Sequence, residues 1–179
     1  MINDYEATQP MTEDAVPAYN ATTSNDEVVS TLNGLIQTCK DGEEGFRDAA
    51  ENVKASDLKT LLYERSQERS RFVGELQELV RSLGGDPEKS GTLLGAVHRG
   101  WMDLKTAIST NDEGGIVSEC ERGEDSAKKA YQAAMEKPLP ENVLDVIRIQ
   151  ARSIFASHDR IKSLRDAFNN DSTQTASAR

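Results

Sequence analysis

The sequence predicts an all-α protein: four long helices in two antiparallel hairpins, with a helical crossover from one hairpin to the other. Three observations predict it. Apolar residues recur at three- and four-residue spacing over long stretches. β-branched residues form no alternating runs, and aromatics are only 5% of the chain, so little is available to build a sheet. Helix breakers cluster between the periodic stretches, at Gly84-Gly85-Asp86-Pro87 and at Pro138-Leu139-Pro140.

Each element follows from its own signals. Residues 1–26 mix polar residues with Pro10 and Pro17 and predict a disordered acidic arm, in which Tyr5 and Tyr19 could serve as docking points. The first helix opens after Ser24 or Asp26, both good N-caps. Its apolar line is Val28, Leu32, Leu35, Cys39, Phe46, Ala50 and Val53. The second starts at a Ser56 cap, carries Leu58, Leu61, Phe72, Leu76, Leu79 and Leu83, and stops at Gly84-Gly85. A crossover helix over 91–108 places Leu94, Val97, Trp101, Leu104 and Ile108 on one face. Asn111 or Asp112 caps the next helix, whose line is Ile116, Cys120, Ala127, Tyr131 and Ala134. The last helix shows Leu144, Ile147, Ile154, Ile161, Leu164 and Phe168, and residues 169–179 predict a loose tail. The ordered domain is therefore 27–168. Its long helices are each about 25 residues, roughly 38 Å. A long crossover is the connection of ferritin-like bundles, and an irregular five-helix packing is the competing geometry.

Charge and composition exclude several classes. The formal net charge is -10, and the first 26 residues hold five acids and no Lys or Arg. Such a surface repels phosphate backbones, so nucleic acid is not an expected partner. No stretch reaches the roughly 20 apolar residues that span a bilayer, and no basic-then-apolar leader opens the chain; no membrane partner and a cytoplasmic location are expected. Two cysteines do not make a disulfide framework.

The most informative feature is where the apolar lines fail. On the first helix the spacing from Cys39 to Phe46 lands on Gly42 and Glu43; on the fourth, that from Cys120 to Ala127 lands on Gly123 and Glu124. These stretches form a weak internal repeat, Cys39-Lys40-Asp41-Gly42-Glu43 against Cys120-Glu121-Arg122-Gly123-Glu124. Glycine inside a helix costs about 1 kcal/mol relative to alanine, and close packing is a reason to keep it. Helix two crosses its core with Arg65, Glu68 and Arg69, and the last helix with Gln150 and His158. Antiparallel register sets Glu43 level with Glu68, and Glu124 level with Ser153. The expected mid-bundle layer thus holds Glu43, Glu68 and Glu124.

Buried carboxylates need protons or cations. One solution is a divalent metal ion bound by Glu43, Glu68, Glu124 and His158. The other is internal pairing with Arg65, Arg69 or Arg122. The sequence departs from the di-iron pattern of a Glu-x-x-His on each of two helices: helix two offers Glu64-Arg65-Ser66-Gln67, and the last helix Gln150-Ala151-Arg152-Ser153. His98 reads as a packing or capping residue. His158 precedes Asp159, which could orient its ring. Cys39 and Cys120 fall on opposite sides of the glutamate layer, too far apart for a disulfide, and are expected to be buried, inert thiols.

Four segments carry a resemblance: 32–43 (LNGLIQTCKDGE), 98–105 (HRGWMDLK), 119–125 (ECERGED) and 157–161 (SHDRI). Together they resemble a mainly proteobacterial four-helix-bundle family of unknown function within the ferritin-like superfamily. The resemblance spans about 28–168 and implies a ferritin-like fold without an established activity. The leading reading is a non-catalytic cytoplasmic bundle acting through protein association, stress-related on superfamily analogy alone. The alternative is a carboxylate bundle binding iron, manganese or zinc for storage, sensing or peroxide chemistry. Apolar residues outside the main stripes (Val29, Val117, Met102) point to a homodimer or higher homo-oligomer, and the acidic arm to a protein partner.

Overall fold

A computed structural model of the chain describes residues 23–87, 101 and 103–177, with the side chains of 171–177 left aside. Most of the N-terminal arm, with Tyr5 and Tyr19, lies outside the described residues, as do Met102 and most of the crossover stretch, including His98. The described residues form helices and turns with no strand among them.

Helix α1 is Asn25–Asn52, and it begins inside the stretch expected to be disordered. Ser24 caps it in a capping box: its hydroxyl accepts from Glu27 N–H while the Glu27 carboxylate accepts from Ser24 N–H. Helix α2, Ser56–Ser82, follows a three-residue link; its N-cap is Ala55 rather than Ser56, with no side-chain capping bond. Gly84, at φ 74°, ends the hairpin's second arm in the left-handed conformation that glycine adopts at least cost. Of the crossover, the described part is the short helix α3, Leu104–Ser109. Helix α4, Glu113–Met135, is capped by Asp112, whose carboxylate accepts from Gly115 N–H. Helix α5, Glu141–Ser177, runs nine residues past Phe168, so backbone helix continues where the sequence predicts a tail.

Pairing is antiparallel throughout. Ser66 donates to the Glu43 carbonyl across α1 and α2, and Tyr131 donates to Gln150 across α4 and α5. Between hairpins, Lys137 donates to Thr31 and Cys39 meets Tyr131, which sets α1 against α4. Ser153 donates to Glu68 and Gln150 to Glu75, which sets α2 against α5. The α1–α4 seam is tight, whereas α2 and α5 touch sparsely. This is the four-helix, two-hairpin arrangement expected from the sequence.

The core is divided in two. One apolar cluster runs from Val28 to Cys39 on α1 and takes in Leu76, Tyr131 and Ile147. The other takes in Phe46, Leu62, Ile116, Cys120 and Ile161. Cys39 and Cys120 thus lie on opposite sides of the division, both as free thiols. Val117 is fully buried in the second cluster, so it supplies no outer surface, contrary to its assignment outside the core stripe. On α2 Leu58, Phe72 and Leu76 of the expected line are buried, but Leu61, Leu79 and Leu83 are only half-buried, and Leu62, Ser66, Arg69, Val73 and Val80 fill the core in their place. Two polar members at core positions had broken the apolar pattern and hidden its phase.

Trp101 occupies the α1–α4 seam. A Cβ on Gly45 would lie 2.3 Å from its ring and one on Gly123 2.4 Å from it, so both helices give up their side chains to seat the indole. Phe46 meets the ring edge-on at 5.1 Å between centroids.

Candidate functional site

Between the two apolar halves lies a thin polar layer, and its centre is Arg69. Gly42 occupies the α1 core position beside it; a Cβ there would sit 3.3 Å from the Arg69 Cγ. Gly42 therefore makes room for an arginine arriving from α2. The guanidinium crosses the bundle to α4, where Nη2 donates to Glu124 Oε1 at 2.6 Å. Both side chains are essentially inaccessible to solvent. Ser157 on α5 donates to the same carboxylate oxygen at 2.9 Å. Arg69 also stacks over Phe72, 5.6 Å from its ring centroid, and lies 6.0 Å from that of Phe46.

Burial pushes the Glu124 carboxyl above its ordinary pKa; Arg69 and the Ser157 hydroxyl oppose that shift. Burial also works against the Arg69 charge, but Glu124 and other neighbours outweigh it and hold the guanidinium protonated. A guanidinium does not lose its proton in any accessible range, so Arg69 brings a fixed positive charge to the Glu124 carboxyl. Glu124 Oε2 and Arg69 Nη1 have no hydrogen-bond partner, which leaves the pair less than fully satisfied.

The four residues expected to share a metal do not converge. Glu43 is half-buried at the rim, 3.8 Å from Arg47 on its own helix, because Gly42 rather than Glu43 takes the core position. Glu68 lies beside the layer: its Oε2 is 3.6 Å from Arg69 and accepts from Arg65 at 3.1 Å. Glu68 and Glu124 are brought together, but around a guanidinium. His158 faces a different set. Its Nε2 lies 3.0 Å from Asp125 Oδ1 and 3.9 Å from Glu121 Oε1, and its Nδ1 lies 3.0 Å from Asp159 Oδ1. The hydrogen bond from His158 holds Asp159 below the usual carboxylate range. Arg165 Nη1 takes the other oxygen of Glu121 at 2.9 Å.

Register explains why sequence reasoning missed Glu121 and Asp125. Helical side chains lean toward the N-terminus of their own helix. In the α4–α5 hairpin those leanings are opposed, so Glu124 meets Ser157 rather than Ser153, a full turn further along α5. The same displacement brings His158 to Asp125. A signal was present: Glu121 and Asp125 are like charges four residues apart, an arrangement that destabilises a helix unless something positive sits over it.

A second buried polar chain runs from the layer toward the α1–α4 end of the first cluster. Tyr131 donates to Gln150 Oε1 at 2.7 Å, so the 3.2 Å contact with Cys39 has the thiol as donor, and Gln150 donates to Glu75 at 2.8 Å. Burial drives the Cys39 thiol up to about 11 and Tyr131 well above its ordinary value. Cys120 is raised further by the same cause.

Among known proteins, no curated protein matches the chain. A family model described as "Domain of unknown function (DUF2383)" matches residues 27–137, which take in all but the first two residues of α1, the whole of α2 to α4, and Arg69, Trp101 and Glu124. The match covers more than half of the chain, and the protein belongs to that family.

Proposed function

We propose that the protein is a non-catalytic, ferritin-like helical bundle of the cytoplasm that works by protein association, with a second copy of itself as its first partner. The observation that carries this reading is the groove between α2 and α5. Those helices touch sparsely, and the opening of about 670 Å³ between them is lined by Leu79, Val146 and Ile149 with Glu75, Glu78 and Ser82. Ile149 is 62% exposed, the most exposed large apolar side chain among the described residues. The flanks are self-complementary, with Arg71, Arg81 and Arg148 interspersed among Glu75, Glu78, Glu141 and Asp145. A surface that carries both signs of charge around an apolar groove can meet a second copy of itself across a two-fold axis without net repulsion. The closed polar layer supports the non-catalytic part: its charges neutralise one another where solvent and substrate do not reach.

Size-exclusion chromatography with light scattering tests the reading. The expected mass is that of a dimer, reduced to a monomer by Ile149→Glu with unchanged helicity. A monomeric wild-type chain at high micromolar concentration removes the proposal. Metal binding is the second reading, and one geometry favours it: the carboxylates gathered around His158.

A further inference from the structure

We infer that Glu121, Asp125 and His158 form a binding site for a first-row divalent cation at the outer edge of the α4–α5 hairpin. The three are contributed by two helices, Glu121 and Asp125 by successive turns of α4 and His158 by the facing turn of α5. One ligand atom from each lies within 4.8 Å of the others.

Proton counting on the imidazole points to a cation. His158 is 5% exposed, and both ring nitrogens face carboxylate oxygens at 3.0 Å, Nδ1 toward Asp159 and Nε2 toward Asp125. A neutral imidazole has one N–H to give, and this arrangement calls for two positive centres. With Nδ1–H committed to Asp159, the Nε2 lone pair faces the Asp125 and Glu121 oxygens. A second proton or a metal ion can stand between them, and the rest of the surroundings favour the metal. A histidine whose far nitrogen is held by a carboxylate is the usual support of a metal-bound imidazole. Arg165 grips Glu121 Oε2 and leaves Oε1 turned to the histidine, so this ligand is also oriented from behind.

The spacing suits a small cation. Ligand atoms about 2.05 Å from a tetrahedral ion are about 3.3 Å apart. The Nε2–Asp125 and Nε2–Glu121 separations of 3.0 and 3.9 Å bracket that length, and all three ligand atoms lie within 4.8 Å of one another, so side-chain adjustment alone can close the site around an ion. Asp125 is 43% exposed in its side chain, which gives the ion a path from solvent. One imidazole with two carboxylates selects zinc, manganese or iron(II) over calcium, which takes oxygen ligands alone.

Zn²⁺ is the probe: the full-length chain, stripped with a chelator, is titrated calorimetrically with ZnCl₂. One equivalent per chain is expected, with at least tenfold weaker binding in Asp125→Asn, Glu121→Gln and His158→Gln, and wild-type affinity in Glu43→Gln, whose carboxylate lies at the rim of α1 beside Arg47. Asp159→Asn, which removes only the orienting partner, is expected to weaken binding about tenfold. Imidazole nitrogen NMR of the loaded protein should show Nε2 metallated and Nδ1 still protonated. Asp125→Asn lies at the surface and keeps the fold, so its result stands even if His158→Gln unfolds. Absence of saturable Zn²⁺ uptake by the wild type, or uptake unchanged in Asp125→Asn and Glu121→Gln, overturns the assignment. The dimer mass is a separate measurement, so either proposal can fail alone.

Discussion

Replacing Arg69 by methionine isolates the polar layer. Methionine keeps much of the buried stem but removes the guanidinium, leaving Glu124 with only the Ser157 hydroxyl. Breaking a buried pair from one side costs about 3–5 kcal/mol, because the remaining charge has neither water nor partner. Two details set this case near the middle of that range. Loss of the Phe72 and Phe46 ring contacts adds to the cost, whereas Glu124 Oε2 is already unpartnered in the wild type and loses nothing. At roughly 4 kcal/mol, the melting temperature of a chain this size falls by about 8–16 °C. Urea unfolding followed by helical circular dichroism measures it. The double variant Arg69→Met/Glu124→Leu is expected to return close to wild type, since an apolar replacement of both partners removes the buried charges together. The deficit of Arg69→Met should also shrink in acid. Burial places the Glu124 pKa above its unfolded value, so the folded state binds the proton more readily, and stability falls as pH rises from the unfolded pKa through the folded one. The single variant, having lost Arg69, shows this dependence more strongly than the wild type. A cost below about 1 kcal/mol, or a double variant as unstable as the two single changes added together, would refute the view that this pair governs the layer.

Two further outcomes follow from buried groups. Gly123→Ala forces a methyl to within 2.4 Å of the Trp101 ring and should cost about 1–3 kcal/mol, with a red-shifted emission from the chain's single tryptophan; unchanged emission and stability would show that the seam can open freely. Cys39 and Cys120 should resist thiol reagents at pH 8 in the folded chain and react once it is unfolded. Because the Cys39 pKa rises on folding from 9.0 to about 11, its neutral form is favoured by the fold, and stability is lost as pH climbs between those values. Cys39→Ala should remove about 2–3 kcal/mol of that loss, read from unfolding curves at the two ends of the window.

Helix count, hairpin pairing and most of the core were legible because the apolar periodicity carries them. Every apolar position assigned to α1 is buried, from Val28 to Val53. On α2 the polar Ser66 and Arg69 occupy the core line, and the eye slides to Leu61 instead. The internal repeat marked the right height but not the different fates of its two copies. Gly42 receives Arg69 and Gly123 receives Trp101, while Glu43 leaves the core and Glu124 enters it. Spacing within one helix does not contain that asymmetry; it is decided by which long side chain arrives from another element. The cluster at His158 was hidden for a related reason, since it depends on a one-turn displacement that equal-height counting across a hairpin omits.

Helices α2 and α4 stand diagonally across the bundle, and Arg69 spans the gap between them to reach Glu124. This strut works as a latch against sliding. Were one hairpin to ratchet past the other by a single turn, about 5.4 Å, the guanidinium and the carboxylate would part while both stayed sealed from water. Oily residues alone, being interchangeable from one turn to the next, would tolerate that displacement. One charge pair at mid-height thus selects a single alignment from several that the apolar surfaces would accept.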